Sequence, residues 1–134
     1  MDDIKSIFKD HEYYHFGIRN YKYSLDESDP VVTIQVGHYR QSEIVEITFS
    51  DVYFQSTMSE SFIFMNDEDN WEMNVFISQA KTSQLLDWVA SYTLLGAEHV
   101  IELEKLNHYR IYGQDHFIEI VSTQKPRMKL LNET

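Results

Sequence analysis

The chain has 134 residues, a formal net charge of -11, 43% hydrophobic residues and no cysteine. That length fits one domain, residues 1–134, able to bury a core unaided, and the missing thiols exclude disulfides, thiolate metal ligation and a cysteine nucleophile. A field of this sign repels phosphate backbones, which argues against nucleic acid and favours encounter with basic proteins.

The opening "MDDIKSIFKDHE" mixes both charge signs and lacks the apolar core of a signal peptide. No apolar run approaches the roughly 20 residues that span a bilayer. These features predict a cytoplasmic protein with no membrane association.

Ile4, Ile7, Phe8 and His11 recur at helical spacing behind Asp2 and Asp3, which predicts a short N-terminal helix. Tyr14, Phe16 and Ile18 then alternate, and Tyr21, Tyr23 and Leu25 continue one residue out of phase. This predicts a strand with an irregularity near Arg19-Asn20. "DESDP" reads as a turn, because the residue before proline avoids helix.

Two alternating strands follow, with Val32, Ile34 and Val36 on one face of the first, and Val45, Ile47 and Phe49 on one face of the second. "SFIFM" reads as a covered strand. "WEMNVFIS" alternates cleanly, with Trp71, Met73, Val75 and Ile77 on one side, so residues 61–78 are expected to form a hairpin around "NDEDN".

The period then changes to helical. Leu85, Trp88, Val89, Tyr92 and Leu95 form one apolar face, Thr82 or Ser83 can cap the start, and Gly96 suits the position past the end. This is the main helix, about residues 83–95. "AEHVIELEKL" reads as a strand with Ile101 and Leu103 inward, and "NHYRIYGQDHFIEIVS" as a hairpin around Gly113-Gln114-Asp115. The tail, about residues 124–134, is polar, contains Pro126 and is expected to be loose. Together these elements predict an α+β fold: a mostly antiparallel sheet of about 6–8 strands, with the main helix packed on one face.

The pattern His11-Glu12-Tyr13-Tyr14-His15 is a literal H-E-x-x-H. On a helix that motif holds zinc between two imidazoles, with the glutamate as general base. His38, Glu43 and Glu46 are available as distant third ligands. Against it, Tyr13-Tyr14 is β-favouring, and the extended motif fails at its glycine position and at its third histidine. With this His and Glu content, a chance match arises roughly once in forty such chains. The stretch is therefore read as coincidence, and no metal, cofactor or catalytic set is assigned. A zinc-dependent hydrolase remains the least favoured alternative.

"NDEDNWE" begins like a calcium loop, with Asp67 and Asp69 at ligand positions, but Trp71 and Glu72 stand where an acceptor and the glycine belong. Asp67, Glu68 and Asp69 are instead an acidic docking point for a basic partner. His108, Arg110, Tyr112 and His116 would share one face of the last hairpin and form the best candidate recognition surface. The functional expectation is a non-catalytic acidic protein-binding module, of which an immunity or antitoxin protein is one concrete form. The alternative is a small-ligand binder with an aromatic-lined pocket between sheet and helix. Homodimerisation through an exposed edge strand is compatible with either reading.

Overall fold

The computed structural model describes residues 4–26, 29–59, 71–92, 103–114 and 116–131. Its elements in chain order are α1 (Ile4–Ile7), β1 (Phe16–Asp26), β2 (Asp29–His38), β3 (Ile44–Phe49), β4 (Val52–Ser59), β5 (Trp71–Asn74), β6 (Ile77–Ala80), α2 (Gln84–Tyr92), β7 (Asn107–Tyr112), β8 (His116–Ser122) and β9 (Arg127–Leu131). Single 3-10 turns occupy Tyr13–His15 and Leu103–Lys105.

The fold is α+β, as the patterning predicts, but its nine described strands divide between two antiparallel sheets. One is ordered β1-β2-β3-β9 and the other β4-β8-β7-β6-β5. The crossover lies at Ser50-Asp51, where the continuous run "EIVEITFSDVYF" breaks and Asp51 takes a positive φ of 52°. Aspartate tolerates that conformation better than most residues, since its short polar side chain bonds locally.

The alternating positions explain why the sheets meet. Val32, Ile34, Val36, Val45, Ile47 and Phe49 line the inner face of the first sheet, and Ile77, Tyr109, Ile111, Ile118 and Ile120 that of the second. All are 0–1% exposed, and Phe49 meets Tyr109 at a ring separation of 5.2 Å. Each face can leave water only by covering the other. α1 adds Ile4 and Phe8 to the same core, with Phe8 edge-on to Phe16 at 4.9 Å.

α2 packs on the outer face of the second sheet, where Val89 joins Leu106 and Val121, flanked by Phe54, Leu85 and Leu86. The predicted apolar face is rotated by this contact. Trp88 is 48% exposed, and Leu86, absent from the predicted stripe, takes part in the packing. Leu95 and Gly96 lie outside the described residues.

Several other expectations change. The slip near Arg19-Asn20 is present: Ile18 pairs with Val36 and Asn20 with Gln35, leaving Arg19 as the extra residue. Residues 71–78, read as one strand, form a hairpin of their own, with Asn74 paired to Ile77 across Val75-Phe76. Val75 has φ 57°, which a β-branched residue rarely adopts, yet Val75 and Phe76 are both buried in the core. Burial of the hairpin tip outweighs the local preference. "SFIFM" and "NDEDN" lie outside the described residues, as does Ile101, while Leu103 belongs to a 3-10 turn rather than a strand.

The tail is corrected as well. Arg127–Leu131 is not loose but is the edge strand of the first sheet, with Met128 opposite Ile47 and Leu130 opposite Val45. Backbone pairing to β3 and burial of Pro126 supply the order that the polar composition argues against. No described helix is long and apolar enough to cross a membrane.

Candidate functional site

Of the four residues expected to share one face of the last hairpin, three do, and most of that face is covered. β7 and β8 pair with Tyr112 opposite Phe117, so the connection is one residue longer than Gly113–Asp115. That extra residue puts His116 on the opposite face from His108, Arg110 and Tyr112, because side-chain direction alternates residue by residue. His108 and Arg110 are buried, Tyr112 is half-buried and His116 is exposed.

The buried members form one polar network. Glu119, opposite Arg110 in the register, accepts from Arg110 Nε at 2.6 Å through Oε1 and from His108 Nε2 through Oε2. Ser83 Oγ lies 2.9 Å from His108 Nδ1 and accepts the Leu86 N–H at 3.1 Å, which caps α2. With Glu119 taking the proton on Nε2, the Ser83 hydroxyl donates to Nδ1. Arg110 stacks on Trp71, its Cζ 4.5 Å from the ring centroid, and Trp71 meets the His108 ring at 4.7 Å.

Hydroxyl, imidazole and carboxylate are thus linked in the order used by acyl-transfer triads. The surroundings oppose that use. Ser83, His108 and Glu119 are 3%, 2% and 4% exposed, and the serine oxygen is already committed to the helix end. The network is a buried ion pair wired to a helix cap, and it fixes α2 on the sheet.

The H-E-x-x-H stretch forms no helix. α1 ends at Ile7, and residues 13–15 make a 3-10 turn. His11 Nε2 turns back onto the carbonyl oxygens of Phe8 and Lys5, at 2.8 and 2.9 Å. His15 faces elsewhere, placing Nδ1 2.5 Å from Asp10 Oδ2, and His38 Nε2 reaches the same oxygen at 2.9 Å. The sequence offers His15 and His38 as donors, but nothing in it distinguishes Asp10 from the other 21 acidic residues, out of 22.

Asp10, His15 and His38 place their donor atoms within 4.8 Å of one another, a spacing a metal ion could use. The proton positions favour another arrangement. The Arg40 backbone N–H donates to His38 Nδ1 at 3.0 Å, so neutral His38 carries its proton on Nε2 and gives it to Asp10. A cation at Nε2 would have to displace that proton and turn the Arg40 amide away. Asp10 also accepts the Glu12 N–H at 3.0 Å. Its hydrogen bonds to His38, to the Glu12 amide and to His15, in that order, hold the carboxyl well below the usual carboxylate range. The trio is a clamp that ties the N-terminal segment to the end of β2.

What the clamp positions is a row of aromatic side chains. Tyr112 touches Tyr13 at 5.2 Å, Tyr13 touches Tyr14 at 5.6 Å, Tyr14 touches His15 at 4.5 Å, and His15 touches Tyr39 at 5.2 Å. Arg40 lies over the Tyr39 ring at 5.0 Å. Tyr13, Tyr14 and Tyr39 are 38%, 50% and 51% exposed. Of the expected partner-binding residues only Tyr112 joins this row. Asp67, Glu68 and Asp69 lie outside the described residues.

No protein-family model, curated protein or solved structure matches the chain.

Proposed function

We propose that the chain is a non-catalytic binding module that docks a basic protein through the tyrosine row at Tyr13, Tyr14, His15 and Tyr39. The observation carrying this reading is the unbroken succession of rings beside the clamp, with Tyr13, Tyr14 and Tyr39 exposed and half-buried His15 joining them. Tyrosine supplies large contact area and a polar tip at small entropic cost, and rings already held in place lose little on binding. The net charge of -11 supplies the long-range attraction for a basic partner and raises its association rate. An immunity or antitoxin protein fits this description, and the absence of cysteine suits a reducing cytoplasmic setting.

The test starts from a partner recovered with the tagged protein from its own host and then purified. Its affinity is measured against wild type and against a Tyr14→Ala/Tyr39→Ala variant across a salt series. The reading expects at least about tenfold weaker binding by the variant, the scale of a hot-spot loss, and affinity that falls as salt rises. Equal binding by the variant would remove the tyrosine row from the interface. Salt-independent binding would remove the basic partner.

A further inference from the structure

A cavity of about 450 Å3 opens against the β5–β6 hairpin and Tyr109 of β7, and Lys5 of α1 and Lys125-Pro126 of the β8–β9 connection complete its wall. It shares no residue with the tyrosine row. We propose that this cavity binds a small organic anion, with one acidic group on an apolar body.

Charge is the first reason. Lys5 and Lys125 are exposed at the wall, and neither has an ion-pair partner among the described residues. Among the described lining residues Glu72 is the single carboxylate beside them, so two cations stand against one anion there in a chain of -11. An anion diffusing around this molecule is repelled by most of its surface and attracted here.

The second reason is a buried donor. Tyr109 contributes to the wall, and its hydroxyl is buried with no hydrogen-bond partner among the described residues. Such a group carries a free-energy penalty unless something accepts from it, and an acceptor held in the adjoining cavity removes that penalty. Ile77 and Pro126 are buried at the same wall and Met73 flanks it, which provides apolar contact for the body of the ligand. The volume lies within the range of small-molecule sites.

The probe is 8-anilinonaphthalene-1-sulfonate, titrated by fluorescence into the folded full-length chain. One saturable site is expected. Lys5→Glu/Lys125→Glu should weaken it at least tenfold, while Lys9→Glu/Lys22→Glu, with the same change in net charge at exposed positions away from the cavity, should leave it within twofold. Phenyl phosphate should displace the probe from wild type, and benzyl alcohol at equal concentration should not. The displacement arm decides the matter even if the double reversal fails to fold. Absence of a saturable site, equal weakening by both pairs of reversals, or equal displacement by the neutral alcohol would each overturn the proposal.

Discussion

Asp10 and His38 stand 28 positions apart in the chain, and their side chains meet at 2.9 Å, Nε2–H of His38 donating to Oδ2 of Asp10. This contact pins the segment before β1 to the end of β2, and it is why His15 and the tyrosines beside it occupy fixed places. Its energetic signature depends on pH. The folded Asp10 carboxyl titrates below its unfolded value near pH 4, so its contribution is present above that pH. The contribution is lost as pH falls through the folded pKa. Urea midpoints from pH 7 down to pH 2 should show Asp10→Asn less stable than wild type at neutral pH, with the gap closing below about pH 4. A gap that stays constant with pH would refute the clamp.

Glu119 is the shared acceptor of the other network, and removing it leaves the Arg110 guanidinium buried without a counter-charge. Breaking a buried pair from one side costs about 3–5 kcal/mol. Glu119→Ala should therefore lower the unfolding free energy by about that amount in urea titrations followed by circular dichroism. A loss under about 1 kcal/mol would show that the pair is effectively hydrated.

Ser83→Ala removes the cap of α2 and the hydroxyl on His108 together. The expected cost is about 2–4 kcal/mol, the sum of a lost cap and an orphaned imidazole nitrogen. If Ser83 is structural, a fluorophosphonate probe should not label it in the native protein. Stoichiometric labelling, lost in Ser83→Ala, would instead make the serine a nucleophile.

Tyr109 offers a change in the opposite direction. Its hydroxyl is buried without a partner among the described residues, so Tyr109→Phe should raise stability by about 1–2 kcal/mol in the ligand-free protein. A destabilised variant would show that the hydroxyl is satisfied. Desolvation also pushes the Tyr109 phenol up to about 12. Because the folded value exceeds the unfolded one near 10, ionisation of this phenol leaves stability unchanged below about pH 10 and lowers it as pH rises toward the folded pKa. An alkaline ultraviolet titration should show a late tyrosine component that ionises together with unfolding, and that component should shrink by one tyrosine in Tyr109→Phe.

The strands with strict alternation were legible because period-two burial writes itself directly into composition. Val32-Ile34-Val36 and Val45-Ile47-Phe49 are buried on the faces expected of them, and the bulge at Arg19 left its trace as a phase slip. The hairpin at Val75-Phe76 left none. Its turn contains no glycine, proline or aspartate and is held by burial of its own tip, a force that originates in residues far away in the chain. The strand Arg127–Leu131 was hidden for a similar reason, since a charged edge strand looks like a polar tail until its partner β3 is known.

By itself, the sequence determined composition, charge and local periodicity: an acidic chain without thiols, the facing apolar rows, and the switch to helical period at α2. Only the tertiary structure decided which side chains meet. One added residue in the β7–β8 connection separates His116 from His108 and Arg110, and the Asp10 carboxylate, shared with an imidazole 28 positions further on, turns His15 from a motif residue into part of a clamp. Periodicity reports which face a residue occupies. Pairing between distant segments depends on strand register and sheet closure, which the short windows of a sequence do not contain.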